Sequence, residues 1–105
     1  MIEFDDNPGV LICVGDEARC TQGSRRGALI RALRADMDVV VDLTQLVFAD
    51  ASLMADLAMV SRRLRRRGRA LRLRGAQPQI MAIIESFGLH RLPGVRIDGP
   101  SPALA

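Results

Sequence analysis

The side chains that could perform acid–base, nucleophilic or metal chemistry are few in this chain and lie far apart. The single histidine, His90, has no cysteine or carboxylate near it at the spacing of a metal site. Neither a glycine-rich phosphate loop nor a nucleophile elbow follows the predicted strands. Asp42 and Asp50 flank a strand-to-helix connection, but an aspartate at the end of a strand is typically a turn former. The sequence therefore predicts no catalytic residue, no metal site and no cofactor, and hence a protein that is not an enzyme.

One short segment combines a carboxylate with a hydroxyl at the start of a predicted helix: Asp50-Ala51-Ser52-Leu53-Met54. Asp50 is expected to cap that helix by accepting a hydrogen bond from a main-chain amide two or three residues later. A phosphate on Ser52 would lie near the positive end of the helix dipole, and its charge of about −1.5 to −2 would disrupt an apolar or acidic partner docked there. The interpretation we favour is a first-turn serine with an unused hydroxyl. Leu53 and Met54 belong either to the core or to a contact with a partner.

Hydrophobic patterns along the chain predict strands that alternate with helices. Strands are predicted at residues 10–14, 39–43 and 71–74, with further candidates at residues 2–4 and 94–97. Residues 44–50 are expected to form a loop that leads into the Asp50 segment. This loop would bring the segment to the end of a buried strand.

Apolar residues that recur every three or four positions predict three helices, at residues 24–35, 52–67 and 77–87. Ser24 is expected to cap the first helix, whose arginines should face solvent, and Gly68 to end the second. The alternation predicts one α/β domain over residues 1–98, with four or five strands in a mainly parallel or mixed sheet covered by helices. Residues 99–105 are expected to form a flexible C-terminal tail.

The charge pattern restricts the kinds of partner. All 15 basic residues are arginine, eight of them between Arg62 and Arg74, and the formal net charge is +3. Aromatic residues make up only 3% of the chain, so stacking platforms for bases are absent and specific nucleic-acid binding is not expected. The arginine cluster is instead expected to be a solvated helix face.

The start of the chain and its cysteines suggest a compartment. The first residues lack the basic start and apolar run of a secretory signal, and no apolar stretch approaches the roughly 20 residues that span a bilayer. A cytoplasmic location without membrane insertion is therefore expected. Cys13 is expected to be buried in a strand and Cys20 to be an exposed thiol, and a redox pair of the two is not favoured.

Taken in order, these landmarks resemble the STAS domains of bacterial anti-sigma factor antagonists. The matching features are an apolar strand ending in Asp42-Leu43, the Asp50 segment, a helix that ends in arginines and Gly68, and the strand Leu71-Arg72-Leu73. Gly15-Asp16-Glu17 lies where the family has a Gly-Glu-Leu-Asp turn, and Ser86-Phe87-Gly88-Leu89 resembles the exit from its final helix. The resemblance covers about residues 9–97.

The resemblance implies a regulator that binds an anti-sigma factor or a histidine-kinase-like ATPase and so releases a sigma factor. In the family, that partner phosphorylates the first serine after the aspartate. Ala51 occupies this position here, Ser52 matches the second serine, and Leu53 replaces a glycine. Ser52 is thus the one phosphoacceptor that the motif offers. The implied partner-binding residues are Asp16, Glu17, Asp50, Ala51, Ser52, Leu53 and Met54. They belong to an expected docking face of residues 16–24, residues 48–54 and the exposed positions of the helix that follows.

Other functions stay open at this point. An accessory STAS subunit of a lipid-transport ATPase would have the same fold, and the Asp-Thr-Ala-Gly-like motif of such subunits needs no phosphorylation. Nucleic-acid binding through the arginine-rich helix is an alternative of another class, which the lack of aromatic residues and of a recognition motif disfavours. A small-molecule-binding or nucleotide-binding module is a further alternative. A weak homodimer is also left open.

Overall fold

The computed structural model describes residues 1–98, which form one mixed sheet with helices packed against it. The strands are β1 (Ile2–Asp5), β2 (Val10–Glu17), β3 (Val39–Ala49), β4 (Leu71–Arg74) and β5 (Val95–Asp98), and they lie side by side in this order. β1 is antiparallel to β2, whereas all later neighbours are parallel. The predicted α/β class is confirmed, and so are the two candidate strands near the ends.

Three helices connect the parallel strands. They are α1 (Gln22–Leu33), α2 (Ala51–Arg66) and α3 (Pro78–Phe87), with short 3-10 turns at Arg19–Thr21 and Leu89–Arg91. Each helix leads to the next strand along the sheet, and right-handed crossovers that all step the same way place their helices on one face. This arrangement puts the first residues of α2 beside the ends of β2 and β3.

The core lies between the sheet and the helices. Alternate strand residues point into it, as the burial of Leu11, Cys13, Val41 and Leu43 shows. The helices contribute the fully buried residues Leu53, Met54, Leu57, Val60, Leu64, Ile80 and Ile84. Each such side chain contributes about 1.5–3 kcal/mol through its removal from water. The core is almost entirely aliphatic, and Phe4 is the buried aromatic side chain that it contains among residues 1–98.

The predicted loop at residues 44–50 is wrong, because β3 continues to Ala49 and pairs with the end of β2. Two register shifts interrupt the pairing, between Ile12 and Val14 and between Gly15 and Asp16 of β2, and each places one extra residue in β3. Bulges of this kind disturb the alternation of buried and exposed residues. Leu46 and Ala49 are therefore buried while Val47 and Phe48 are exposed, a pattern that does not look like a strand in the sequence.

The second half of β3 extends beyond β4, which pairs only with residues 39–42. Two glutamine side chains lie along the edge that β4 leaves open. Gln77 Nε2 donates to the carbonyl oxygen of Thr44 and Gln79 Nε2 to that of Val47, each at 3.1 Å. Gly75, at a φ of +73°, packs so closely on the Thr44 side chain that no Cβ would fit there. The start of α3 is thus attached to β3.

The helix ends agree only partly with the sequence analysis. Gly68 adopts a φ of +72° just after α2, as predicted. The predicted cap at Ser24 is wrong, because α1 begins at Gln22 and Thr21 precedes it.

None of the helices within residues 1–98 has the length and apolar character to cross a membrane. The predicted tail, residues 99–105, lies outside the described residues.

Candidate functional site

The predicted site segments meet at the carboxyl ends of β2 and β3. The main-chain amide of Asp50 donates to the carbonyl oxygen of Glu17 at 3.2 Å, and Asp16 lies opposite Phe48 in the sheet. The amide of Arg19, which follows β2, donates to the Asp50 carboxylate at 3.0 Å. The sheet therefore brings together two segments that are more than 30 residues apart in the sequence.

Asp50 caps α2 as predicted. Its carboxylate accepts hydrogen bonds from the Ser52 amide at 2.9 Å and from the Ser52 hydroxyl. The Ser52 hydroxyl lowers the pKa of Asp50 most, and the amides of Arg19, Ser52 and Leu53 lower it further against the opposing effect of desolvation. The carboxylate is thus held ionised at the positive end of the helix.

The Ser52 hydroxyl both accepts and donates a hydrogen bond, so the expectation of an unused hydroxyl is wrong. The oxygen accepts a hydrogen bond from Arg25 Nη2 at 3.1 Å, and its proton goes to Asp50. Ser52 is half-buried as a result. The hydroxyl therefore connects the cap of α2 to a residue of α1.

Arg25 is buried, so the prediction that the arginines of the first helix face solvent is wrong for this residue. Its side chain is 0% exposed and pairs with Glu17 at 3.2 Å and with Asp56 at 2.9 Å. It also donates to the carbonyl oxygen of Ala18 at 2.9 Å. Buried charges are tolerated when they are paired and hydrogen-bonded in this way. The group of Arg25, Glu17, Asp56 and Ser52 is called the buried ionic network below.

Three of the predicted partner-binding residues lie inside the fold. The Glu17 side chain is 1% exposed and also bonds the Thr21 hydroxyl at 3.1 Å and the main-chain amino group of Met1 at 2.6 Å. Leu53 and Met54 are fully buried core residues. These three side chains pack inside the domain and hold the exposed site residues in place. Asp16 and Ala51 are exposed, and Asp50 and Ser52 are half-buried, so these four are the ones a partner could touch.

Exposed apolar residues adjoin the motif, and the expected docking face included Phe48 and the exposed side of the helix but did not name Val47, Ala55 or Met59. Val47 is 56% exposed, Phe48 51% and Met59 42%. Ala51 and Ala55 are also exposed and lie on the same side of α2 as Met59, since the three are spaced four residues apart. We call Val47, Phe48, Ala51, Ala55 and Met59 the docking surface. The four-residue spacing was the available signal, but the buried face of α2 has to be known before it can be interpreted.

The carboxylates considered as an acid–base pair serve separate local roles. Burial tends to raise the pKa of Asp42, but hydrogen bonds from the Thr44 hydroxyl and amide, together with nearby Arg74, lower it overall. Asp42 and Asp50 share no hydrogen-bond partner among the described residues. Asp42 stabilises a turn, and Asp50 caps a helix.

The two thiols lie in different environments, as predicted. Cys13 is buried in β2, where desolvation, followed by the charge of Glu17, raises its pKa to about 12. Cys20 is exposed. Within residues 1–98, the histidine, cysteine and carboxylate side chains form no group of three or more that could hold a metal ion.

Comparison with known proteins identifies the family. A family model described as "Mlab, STAS domain" matches residues 2–97. Among solved structures, the chain is similar to the anti-sigma factor antagonist SpoIIAA in its unphosphorylated form, with a TM-score of 0.66 and 13% sequence identity. This match covers 95% of the present chain and 88% of SpoIIAA, and at such an identity it shows a shared fold. No curated protein matches the chain. Because the family model spans nearly the whole described sequence, the chain belongs to the STAS domain family.

Proposed function

We propose that this STAS domain is a non-enzymatic regulator that acts in the bacterial cytoplasm by binding an anti-sigma factor that is a serine kinase of the histidine-kinase-like ATPase type. Binding would sequester that partner and release a sigma factor. The observation that carries the proposal is the docking surface, an exposed apolar area directly beside the capped start of α2. The proposed contacts are the docking surface together with Asp16, Asp50 and Ser52.

The composition of the docking surface supports a protein partner. Its five residues include no charge, although 26% of the whole chain is charged. Clustered apolar side chains with a polar rim are typical of protein interfaces, where aromatic residues and methionine are enriched at the centre. Phe48 and Met59 have this character, and Asp16 and Asp50 would form part of the rim.

The buried ionic network supports the proposal by holding the surface in one shape. Arg25 connects the end of β2, through Glu17, with two points on α2, Ser52 and Asp56. A surface that is already ordered loses less conformational entropy when a partner binds. The network therefore favours a domain that is ready to bind without rearrangement.

The motif itself favours binding that phosphorylation does not switch. Ala51 has no hydroxyl, and the hydroxyl of Ser52 is engaged by both Asp50 and Arg25. A phosphate on Ser52 would lie against the Asp50 carboxylate, which like-charge repulsion disfavours. We therefore propose a constitutive binder, with Ser52 as the residue at which a displaced switch would have to be sought.

The same observation favours a second candidate function. An accessory subunit of a lipid-transport ATPase needs a STAS fold and a docking surface but no phosphoacceptor, and Ala51 fits that requirement. The two candidates differ in the partner, a kinase-like anti-sigma factor in one case and a membrane transporter's ATPase in the other. Purification of the domain with its bound protein separates them.

Matched arginine substitutions on two helices test the proposed function. Binding to purified candidate anti-sigma factors of the same organism is measured by isothermal titration calorimetry. Ala55→Arg places a charge in the docking surface and should weaken binding by about tenfold or more, equivalent to about 1.4 kcal/mol. Ala82→Arg, at an exposed position of α3, should bind like the wild type. Equal binding by both variants would contradict the docking surface, and the absence of wild-type binding to any anti-sigma factor would contradict the proposed partner.

A further inference from the structure

The outward face of α2 changes its chemical character along its length. Ala51, Ala55, Met59, Arg62 and Arg66 are all exposed, and at 3.6 residues per turn they fall within an arc of about 80°. The first three are uncharged and belong to the docking surface, whereas the last two are basic. The resulting stripe is about 23 Å long, with an apolar half and a basic half.

The arginines of the basic half have no partner within the described residues. The side chains of Arg62 and Arg66 make no hydrogen bond or ion pair with residues 1–98. By contrast, Arg67 donates to the carbonyl oxygens of Leu33 and Ala35 at 2.9 and 3.0 Å, and Arg69 pairs with Asp36 at 3.5 Å. Residues 99–105 contain no aspartate or glutamate.

The helix itself does not compensate this charge. α2 carries one carboxylate, Asp56, which is paired with buried Arg25. Arg62 and Arg66 lie one turn apart, where like charges repel each other. Carboxylates from another molecule would relieve the repulsion, and guanidinium groups bind them with two parallel hydrogen bonds.

The surroundings of the basic half favour an acidic protein segment over other anions. The apolar face of α2, with Leu57, Val60 and Leu64, is fully buried, so this end of the helix has no apolar residues to insert into a membrane. The chain's three aromatic residues are phenylalanines outside the arginine segment, so stacking on bases is not provided there. The basic half also continues the docking surface on the same helix face.

We propose that the partner lays a single element along α2, with apolar residues on Ala55 and Met59 and with acidic residues on Arg62 and Arg66. This inference rests on the proposed function and adds the chemistry and the direction of the partner element. The change from apolar to basic along the stripe admits one orientation of the partner, because the reversed element would place carboxylates on the apolar half. Charge pairs at the rim act mainly on the association rate and on its salt dependence.

Two charge-reversal variants with the same net charge test the inference. Arg62→Glu/Arg66→Glu removes the basic half, and Arg91→Glu/Arg96→Glu reverses two exposed arginines outside α2. The probe is the purified anti-sigma factor that binds the wild type, and association and dissociation rates are measured by surface plasmon resonance at roughly 50 mM and roughly 300 mM NaCl. Thermal unfolding establishes that both variants fold.

The first variant should associate at least about tenfold more slowly at the lower salt concentration and should lose most of the salt dependence. The control variant should behave like the wild type. If Ala55→Arg abolishes binding while Arg62→Glu/Arg66→Glu binds normally, the inference is wrong and the proposed function stands. If no anti-sigma factor binds the wild type, both are wrong. Binding of duplex DNA or phosphatidylglycerol vesicles that depends on Arg62 and Arg66, with unchanged binding of the protein partner, would assign the arginines to another anion and overturn the inference.

Discussion

Arg25 Nη2 lies 3.1 Å from the hydroxyl oxygen of Ser52 and donates a hydrogen bond to it across the interface of α1 and α2. The rest of the same guanidinium group is engaged by Glu17 and Asp56. One side chain thus fixes the end of β2 and the first two turns of α2 relative to α1. Both the stability of the fold and the shape of the docking surface therefore depend on Arg25.

Replacement of Arg25 by methionine should destabilise the domain strongly. The carboxylates of Glu17 and Asp56 would lose their shared cation, and breaking a buried ion pair from one side costs about 3–5 kcal/mol. Urea denaturation followed by circular dichroism measures the free energy of unfolding. The matched control is Arg26→Met, at the adjacent exposed position, where the change should stay within about 0.5 kcal/mol.

A second substitution distinguishes the loss of the ion pair from the loss of packing. Arg25→Met/Glu17→Gln should be less destabilised than Arg25→Met alone, because one uncompensated buried charge has been removed. Equal effects of Arg25→Met and Arg26→Met would show that the buried ionic network contributes nothing measurable.

Ser52 should remain unmodified when the domain is incubated with a kinase-like partner and ATP, because its hydroxyl is held by Asp50 and Arg25. Peptide mass spectrometry locates any phosphate. Ser52→Ala should keep partner binding while lowering the free energy of unfolding by about 1 kcal/mol. Ser52→Asp should weaken binding and stability, since its carboxylate lies against Asp50. Stoichiometric phosphate on Ser52 would show a displaced switch, and phosphate on Thr21 or Ser24 would place it in another segment.

Acid should remove the stabilising effect of the Asp50 charge. The folded pKa of Asp50 lies below the ordinary value of 3.8, so its charge stabilises the fold above that pH and ceases to do so as the pH falls through the folded pKa. Asp50→Asn retains a good helix cap without the charge. The stability difference between the wild type and Asp50→Asn should therefore be largest above about pH 4 and shrink below it. A difference that is constant across this range in urea denaturation would contradict the role of the charge.

The two thiols should react at very different rates. Cys20 is exposed and should react readily with an aromatic disulfide reagent at about pH 8. Cys13 is buried, and burial raises its pKa to about 12, so it should react only after unfolding. Cys20→Ser should abolish the fast reaction of the native protein. Equal rates for both cysteines would show that β2 opens readily.

Long apolar runs made much of the fold predictable, and local irregularity limited the rest. β2 and the first half of β3 carry apolar residues on the face that packs against the helices and partly buried apolar residues on the other face, and the resulting continuous apolar segments are why both were found. The second half of β3 was missed because the bulges against β2 place Leu46 and Ala49 three residues apart on the buried side. Such a shift is a property of the pairing between two strands and leaves no regular period in either one.

The site was predictable where its contacts are local. Asp50 caps the amide two residues later, so its role follows from its position before a helix. The burial of the Arg25 charge, by contrast, depends on a contact with Asp56, which is 31 residues away in the sequence. The spacing of Arg25, Leu29 and Ala32 on the buried side of α1 was a usable signal, but only the fold shows that acceptors for its charge are present.

The two glutamine side chains on the free edge of β3 limit how a partner can bind. An uncovered strand edge is a template on which another chain can add a strand, a route to misassembly as well as to recognition. With the carbonyl oxygens of Thr44 and Val47 already occupied by Gln77 and Gln79, two of the backbone groups that such an added strand would need are taken. Val47 can therefore offer its side chain to a partner while its carbonyl oxygen is already engaged within the domain.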